Sequence, residues 1–249
     1  MDLNIHILYE DDEVLVLNKP SGIVVHPDGR TKEPTVADWV LEKYPSIRGV
    51  GETIELTSGG VIEKWGIVHR LDRETSGVLL IAKTQASFLN LKKQFQDRTI
   101  AKTYRAIVHG SFKEREGTIN RPIGRSTSDF RKRSAEYGAR GDLREAVTDY
   151  RVLAEGEAAG IKLSYLEAAP HTGRTHQIRV HLKAISHPIL CDRLYAPKLP
   201  CLPPMGRVAL HAFSIVFKSQ DGTLRKIEAP LPEDFRATLG ELDPTPTFA

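Results

Sequence analysis

The stretch His69-Arg70-Leu71-Asp72-Arg73-Glu74-Thr75-Ser76-Gly77, followed at once by Val78-Leu79-Leu80-Ile81-Ala82, changes character halfway along. Its first part is polar and ends in turn-forming residues. Its second part is a continuous apolar run, rich in β-formers and too short for an ordinary helix, which predicts a buried strand. Asp72 then lies on a loop anchored by a rigid element, the setting in which catalytic side chains are concentrated. The same residues also describe a solvated ion pair, an aspartate beside two arginines, of small energetic worth.

The rest of the chain bounds what that loop can belong to. A chain of 249 residues can bury a sizeable core, as one large domain or two small ones. Its 40% hydrophobic and 27% charged residues are ordinary for a globular protein. A net charge of +3 permits a polyanionic partner without demanding one. The two cysteines, Cys191 and Cys201, have the spacing of neither a zinc pair nor a redox dithiol, and read as inert thiols in a reducing compartment. The N-terminus lacks the charged start and apolar core of a signal peptide, and no apolar run approaches the roughly 20 residues of a membrane span. The expectation is a cytoplasmic protein without membrane contact, monomeric by default.

Working outward, Ile5–Tyr9 and Val14–Leu17 read as strands around an acidic turn. Pro20-Ser21-Gly22 is turn chemistry and holds Lys19 and His26 in a rigid loop just past the second strand. Thr35 and Asp38 form a capping box that opens a short helix, ended by Pro45. Residues 46–66 read as a loop, with Trp65–Val68 as a short strand. Phe88, Leu91 and Phe95 mark one face of a helix over 85–98. Period-two spacing makes a strand of 102–110, with Tyr104, Ala106 and Val108 on one face.

The segment 113–144 holds nine basic and five acidic residues, so the rest of the chain is slightly acidic. It reads either as a solvated loop or as a contact to RNA phosphates, which require cations and little else. Residues 146–153 and 161–168 alternate like strands. Thr175 is a plausible N-cap for a helix spaced by Ile178, Leu182 and Ile185. His171, His176 and His181 recur in steps of five, which separates them on strand and helix alike and argues against a shared metal. A hairpin near Asp221-Gly222 and a short helix after Pro230 complete the chain.

Four stretches, in order, resemble the motifs of the RluA-type pseudouridine synthases. They are Lys19-Pro20-Ser21-Gly22 with His26-Pro27; His69-Arg70-Leu71-Asp72 with Thr75-Ser76-Gly77; Lys102 through Gly110; and Thr172-Gly173-Arg174-Thr175-His176-Gln177-Ile178-Arg179-Val180-His181. His187-Pro188-Ile189-Leu190-Cys191-Asp192-Arg193-Leu194-Tyr195 completes the pattern, with His187 where the family commonly has glycine. The family's Gly-Lys-x-Ala-x-Thr is poorly matched by Leu143-Arg144-Glu145-Ala146-Val147-Thr148.

The resemblance implies an α+β fold: a mixed, largely antiparallel central sheet with flanking helices and an RNA-binding catalytic cleft. It implies one catalytic domain over 1–249, with no room before Ile5 for the accessory RNA-binding domain of some relatives. By resemblance Asp72 is the catalytic carboxylate, and Arg70 fills the space left by a flipped nucleotide. Tyr104 stacks on the target uracil and can move a proton. Arg179 pairs with Asp72; Arg174 is second choice for that role, or a phosphate contact. Ile178 joins Arg70 and Arg174 in substrate binding, and the first motif, with Lys19 and His26, is scaffold.

The implied reaction isomerises uridine in ribosomal or transfer RNA. It breaks N1–C1′ and joins C5 to C1′, with no net redox change, so neither a cofactor nor a metal is expected. A carboxylate suits a sugar centre of oxocarbenium character. Two other readings stay open: an RNA-binding protein that keeps the fold without catalysis, and a glycoside hydrolase using Asp72 and Glu74.

Overall fold

The computed structural model describes residues 3–27, 33–55, 61–135 and 139–244. Part of the Gly/Ser/Thr-rich stretch, 56–60, and the tail, 245–249, lie outside them. The first part of the chain forms β1 (His6–Glu10), β2 (Val14–Lys19), α1 (Val36–Lys43), β3 (Thr53–Glu55), β4 (Val61–Glu63), β5 (Ser76–Ala82) and α2 (Gln85–Gln96). The middle forms β6 (Ala101–His109), β7 (Glu116–Asn120), β8 (Ile123–Arg125), β9 (Arg133–Ser134), β10 (Arg140–Arg144), β11 (Val147–Ala158), β12 (Ile161–Pro170) and α3 (Gln177–Ala184). The last part forms β13 (Leu210–Lys218), β14 (Leu224–Glu228), α4 (Glu233–Gly240) and β15 (Asp243–Pro244). The fold is α+β, and every strand pairing whose register is described is antiparallel.

The chain divides into two compact units, one of residues 1–101 and 212–230, the other of 102–211 and 231–249. In the first, the sheet runs β1-β2-β5-β13, with β14 on β13. The apolar run forms β5, buried along its whole length, which is why it shows no polar alternation. Helix α2 lays Phe88 and Leu91 against Val14, Val16, Val78 and Leu80. Both α1 and α2 start in capping boxes, Thr35 with Asp38 and Thr84 with Ser87, and each satisfies otherwise orphaned N–H groups.

In the second unit the sheet runs β6-β12-β11-β15, with β7 on β11, and a separate small sheet runs β10-β8-β9. Ile178 and Leu182 of α3 pack into a core with Ala106, Val108, Leu163, Leu166 and Ile189. Val180, on another face of the helix, meets Ile123, Ala146 and Tyr195 beneath the small sheet.

Five local expectations change. Trp65–Val68 is not a strand: Trp65 and Gly66 both have positive φ, which turns the chain, and only Ile67 bridges, to Ile81. The stretch 46–66 contains the β3–β4 hairpin. The basic segment is not a plain loop but supplies β7, β8, β9 and β10, whose charged faces hide their alternation. Helix α3 is capped by His176 in the left-handed region, not by Thr175. The cysteines are not separate thiols. The proline-rich loop between them returns on itself, bringing Cys191 and Cys201 to a Cα separation of 4.5 Å in a disulfide.

Candidate active site

In the first unit, the loop carrying Asp72 is pinned at nearly every residue. The Leu80 N–H of β5 donates to His69 Nε2 at 2.9 Å, which puts the imidazole proton on Nδ1, and the ring stacks on Phe95. Leu71 is buried beneath the loop, and Thr75 N–H closes a turn on the Asp72 carbonyl at 3.1 Å. Gly77 has φ of +111°, and a Cβ there would lie 2.1 Å from the Ala212 carbonyl oxygen, so only glycine lets β13 pass this closely.

The Lys-Pro-Ser-Gly turn after β2 clamps the same loop from the other side. Lys19 is fully buried, and its ammonium donates to the carbonyls of Pro20, Ile23 and Arg73 at 2.8–3.0 Å. Gly22 N–H also donates to Arg73 O, and Ser21 Oγ donates to Glu74 O. A buried ammonium needs that many acceptors to offset its lost hydration. Its cost of burial is thus spent on fixing the two residues that follow Asp72. Asp72 itself is half-buried and Arg70 is exposed.

His26 lies in the same unit with its Nδ1 buried and without a hydrogen-bond partner among the described residues. Burial first, then the nearby charges of Arg70 and Lys64, push its pKa down to about 4, so the imidazole stays neutral at physiological pH.

In the second unit, Arg179 is buried on α3, and the buried carboxylate of Asp192 accepts from it in a two-pronged pair. The second prong's oxygen, Asp192 Oδ1, also accepts from the N–H groups of Leu194 and Tyr195. The Tyr195 ring covers the guanidinium at 5.0 Å. The Tyr195 hydroxyl accepts from Arg133 N–H at 2.9 Å and shares a hydrogen bond of 2.8 Å with His176 Nδ1.

A second network sets the helix on the sheet. His181 Nε2 faces the Arg121 carbonyl, which only accepts, so that nitrogen carries the proton and Nδ1 accepts from Thr148 Oγ1 at 2.9 Å. Burial pushes the His181 pKa down, in keeping with this neutral tautomer. Thr148 Oγ1 in turn accepts from Gln177 Nε2, and Gln177 Oε1 accepts from Thr172 Oγ1 and Arg174 N–H. His171 pairs with Asp149 instead, so the three histidines take three different sets of partners. Among the described residues no cluster of three or more His, Cys, Asp or Glu is placed to hold a metal ion.

Of the expected site residues, Asp72 and Arg70 stand together in the first unit, and Tyr104, Arg174, Ile178 and Arg179 belong to the second. Tyr104 is half-buried on β6, opposite Ala168 of β12, with its ring against the core. Ile178 is 5% exposed within that core. Arg174 is tied by its Nε to the Glu145 carbonyl at 3.0 Å. Sequence reading does not single out Asp192 or Tyr195, although both lie in a stretch with a family likeness. Their side chains become significant only once Arg179 is seen to lie between them.

Comparison with known proteins places the chain in a family. The family model described as RNA pseudouridylate synthase matches residues 13–184. An uncharacterised RNA pseudouridine synthase of Synechocystis is 37% identical over 239 residues, covering 96% of this chain and 69% of the relative. The ribosomal large subunit pseudouridine synthase D of Neisseria meningitidis is 36% identical over 247 residues, covering 95% of this chain and 60% of the relative. The solved structure of human RNA pseudouridylate synthase domain containing 1 superposes with a TM-score of 0.71 at 26% identity, covering 92% of this chain and 84% of that one. The chain belongs to the RNA pseudouridylate synthase family. Within it, the relatives place it with the RluA type.

Proposed function

We propose that this chain isomerises specific uridines in structured RNA, ribosomal or transfer, to pseudouridine, with Asp72 as the catalytic carboxylate. The observation that carries the reading is the clamp on the Asp72 loop: a fully buried lysine and two further hydrogen bonds fix the backbone just after that carboxylate. A solvated surface aspartate has no need of such a mounting, whereas a carboxylate that must meet one sugar carbon does.

In this reading the target uridine leaves its stack at a cost of a few kcal/mol. Arg70, exposed on the same loop, enters the vacated space. Tyr104 covers the uracil, with an apolar face for stacking and a hydroxyl that can hand on a proton. Ile178 and Arg174 line the approach of the substrate. Arg179, gripped by Asp192 and so held to one orientation, pairs with Asp72 and keeps that carboxylate aimed. The N1–C1′ bond breaks, C5 joins C1′, the C5 proton is lost and N1 gains one, so the reaction balances within the nucleotide. Attack on the sugar, attack on the base and removal of a sugar proton are all within a carboxylate's chemistry. The family match runs through parts of both units, which supports treating 1–249 as one catalytic domain. A monomer working in the cytoplasm, where such RNA is found, completes the reading.

The test incubates the purified protein with RNA transcripts carrying labelled uridine and scores pseudouridine by digestion and chromatography. Conversion by the unsubstituted protein and none by Asp72→Asn is the expected result. RNA binding without conversion by either would make the chain a binding protein on the same fold. Release of free base would make it a glycoside hydrolase.

A further inference from the structure

The small sheet of the second unit carries an arrangement that stability does not explain. Arg125 of β8 is the register partner of Arg133 on β9 and of Arg140 on β10, so three arginines form one rung across three strands. Side chains directly opposite in antiparallel strands share a face, and like charges so placed destabilise the pair. Among the described residues, no carboxylate pairs with Arg125 or Arg133.

Beside this rung is a cavity of about 310 Å³, lined by Arg125, Arg133, Arg144, Arg174, Asp142 and Gly173 among others. Four arginines and a single aspartate therefore line it. Two of the four stand on fixed supports: Arg174 through Nε to Glu145 O and through its backbone to Gln177, and Arg133 through its backbone to the Tyr195 hydroxyl. That hydroxyl belongs to the ring that covers Arg179. The Arg133 backbone thus connects the cavity, through one hydrogen bond, to the ring that packs on Arg179 of α3.

We propose that this cavity is a recessed binding site for a backbone phosphate of the RNA substrate, held by Arg125, Arg133, Arg144 and Arg174. The inference rests on the reading of the chain as an enzyme acting on RNA. Guanidinium groups bind phosphate oxygens through paired, directional hydrogen bonds, and several converging on one group neutralise it in a way that scattered surface lysines do not. A bound phosphodiester relieves the repulsion within the rung. Because the Arg133 backbone is bonded to Tyr195, the same phosphate sets the register of the strand relative to Arg179. Phosphate contacts of this kind position a nucleic acid without reading its bases.

The experiment compares the full chain with Arg125→Gln/Arg144→Gln and with Arg236→Gln, which removes an exposed cation elsewhere in the same unit. Binding of a short fluorescent uridine-bearing RNA hairpin is followed as salt is varied, with inorganic phosphate as a competitor, and pseudouridine formation is measured in parallel. The double variant should bind at least about fivefold more weakly near 0.1 M salt. Its slope of log affinity against log salt should be shallower by about 0.7–0.9, the share of one phosphate. Its KM should rise with kcat nearly unchanged, its melting temperature should not fall, and Arg236→Gln should behave as the unsubstituted protein. An unchanged slope and KM in the double variant, with the unsubstituted protein still converting uridine, overturns the phosphate site and leaves the proposed function standing. Inorganic phosphate binding that depends on these arginines while RNA affinity does not would make the cavity a small-anion site and also overturn it. If the unsubstituted protein neither binds RNA nor converts uridine, the proposed function fails and the inference fails with it.

Discussion

Asp192 holds Arg179 by both of its carboxylate oxygens, Nε to Oδ2 and Nη2 to Oδ1, each at 2.8 Å, in surroundings where the aspartate side chain has no exposure and the arginine only 8%. Removing one member of a buried pair leaves the other charge uncompensated, at about 3–5 kcal/mol. Asp192→Ala should lose that much stability in urea unfolding. Replacing both, Arg179→Met with Asp192→Leu, should recover most of it, because well-packed apolar residues substitute for buried pairs. Activity should be absent in the double variant and reduced in Asp192→Asn mainly through kcat. A fully active Asp192→Ala would show that Arg179 needs no orienting partner.

Lys19 makes the corresponding prediction in the first unit. Lys19→Met keeps the side-chain length but removes the ammonium shared by the carbonyls of Pro20, Ile23 and Arg73, leaving the last with Gly22 N–H. The expected loss is about 3 kcal/mol, since hydrogen bonds to charged groups are the strong ones. Amide exchange at 21–23 and 72–76 should quicken together, because the lysine ties those two segments to each other. Exchange changed at only one segment would contradict a shared clamp.

Three histidines set an acid limit on stability. Burial lowers the folded pKa of His26, to about 4, and also those of His109 and His181. An unfolded histidine titrates near 6.5. Between those values the unfolded chain binds more protons than the folded one. Stability is therefore fully present above pH 6.5 and falls as the pH drops toward 4. Imidazole resonances followed by NMR should place His26 near 4, and His26→Gln should flatten part of the slope. A His26 titrating at 6.5 would refute the burial argument.

The disulfide closes a loop with a sequence separation of 10, between Cys191, next to Asp192, and Cys201. Loop-closure entropy assigns such a short loop about 2–3 kcal/mol. A dithiol reductant should lower the urea midpoint accordingly, and Cys191→Ala/Cys201→Ser should show no further response to it. Cys191 has φ of +60°. Glycine adopts that conformation without the cost of about 1–2 kcal/mol borne by other residues, so Cys191→Gly/Cys201→Ser should be the more stable of the two double variants. A midpoint indifferent to reductant would mean that the two sulfurs are not joined in solution.

Much of the fold was legible because its signals were local. The run at 78–82 could hardly be anything but a buried strand, and Thr35 with Asp38 announced α1. The turn at Asp221-Gly222 likewise marked the β13–β14 hairpin. Strands β8 to β10 were hidden because their residues are charged or small and their faces largely exposed, which removes the alternation on which strand reading depends. Trp65 misled in the opposite sense: an apolar, β-rich tetrapeptide there folds into a turn because Gly66 must pass the Ala82 carbonyl at close range. In the site, resemblance singled out the residues but could not supply their mountings. Nothing in the local sequence says that Lys19 reaches the Arg73 carbonyl 54 positions away, or that Asp192 turns back on Arg179. The disulfide was missed for the same reason, since spacing alone does not show that a proline-rich loop doubles back.

The most direct test of the central claim maps pseudouridine across total RNA by chemical labelling in cells with the protein, without it, and with Asp72→Asn in its place. The account predicts at least one site that disappears on deletion, returns with the unsubstituted protein and stays absent with Asp72→Asn. A site restored by Asp72→Asn as fully as by the unsubstituted protein would contradict it.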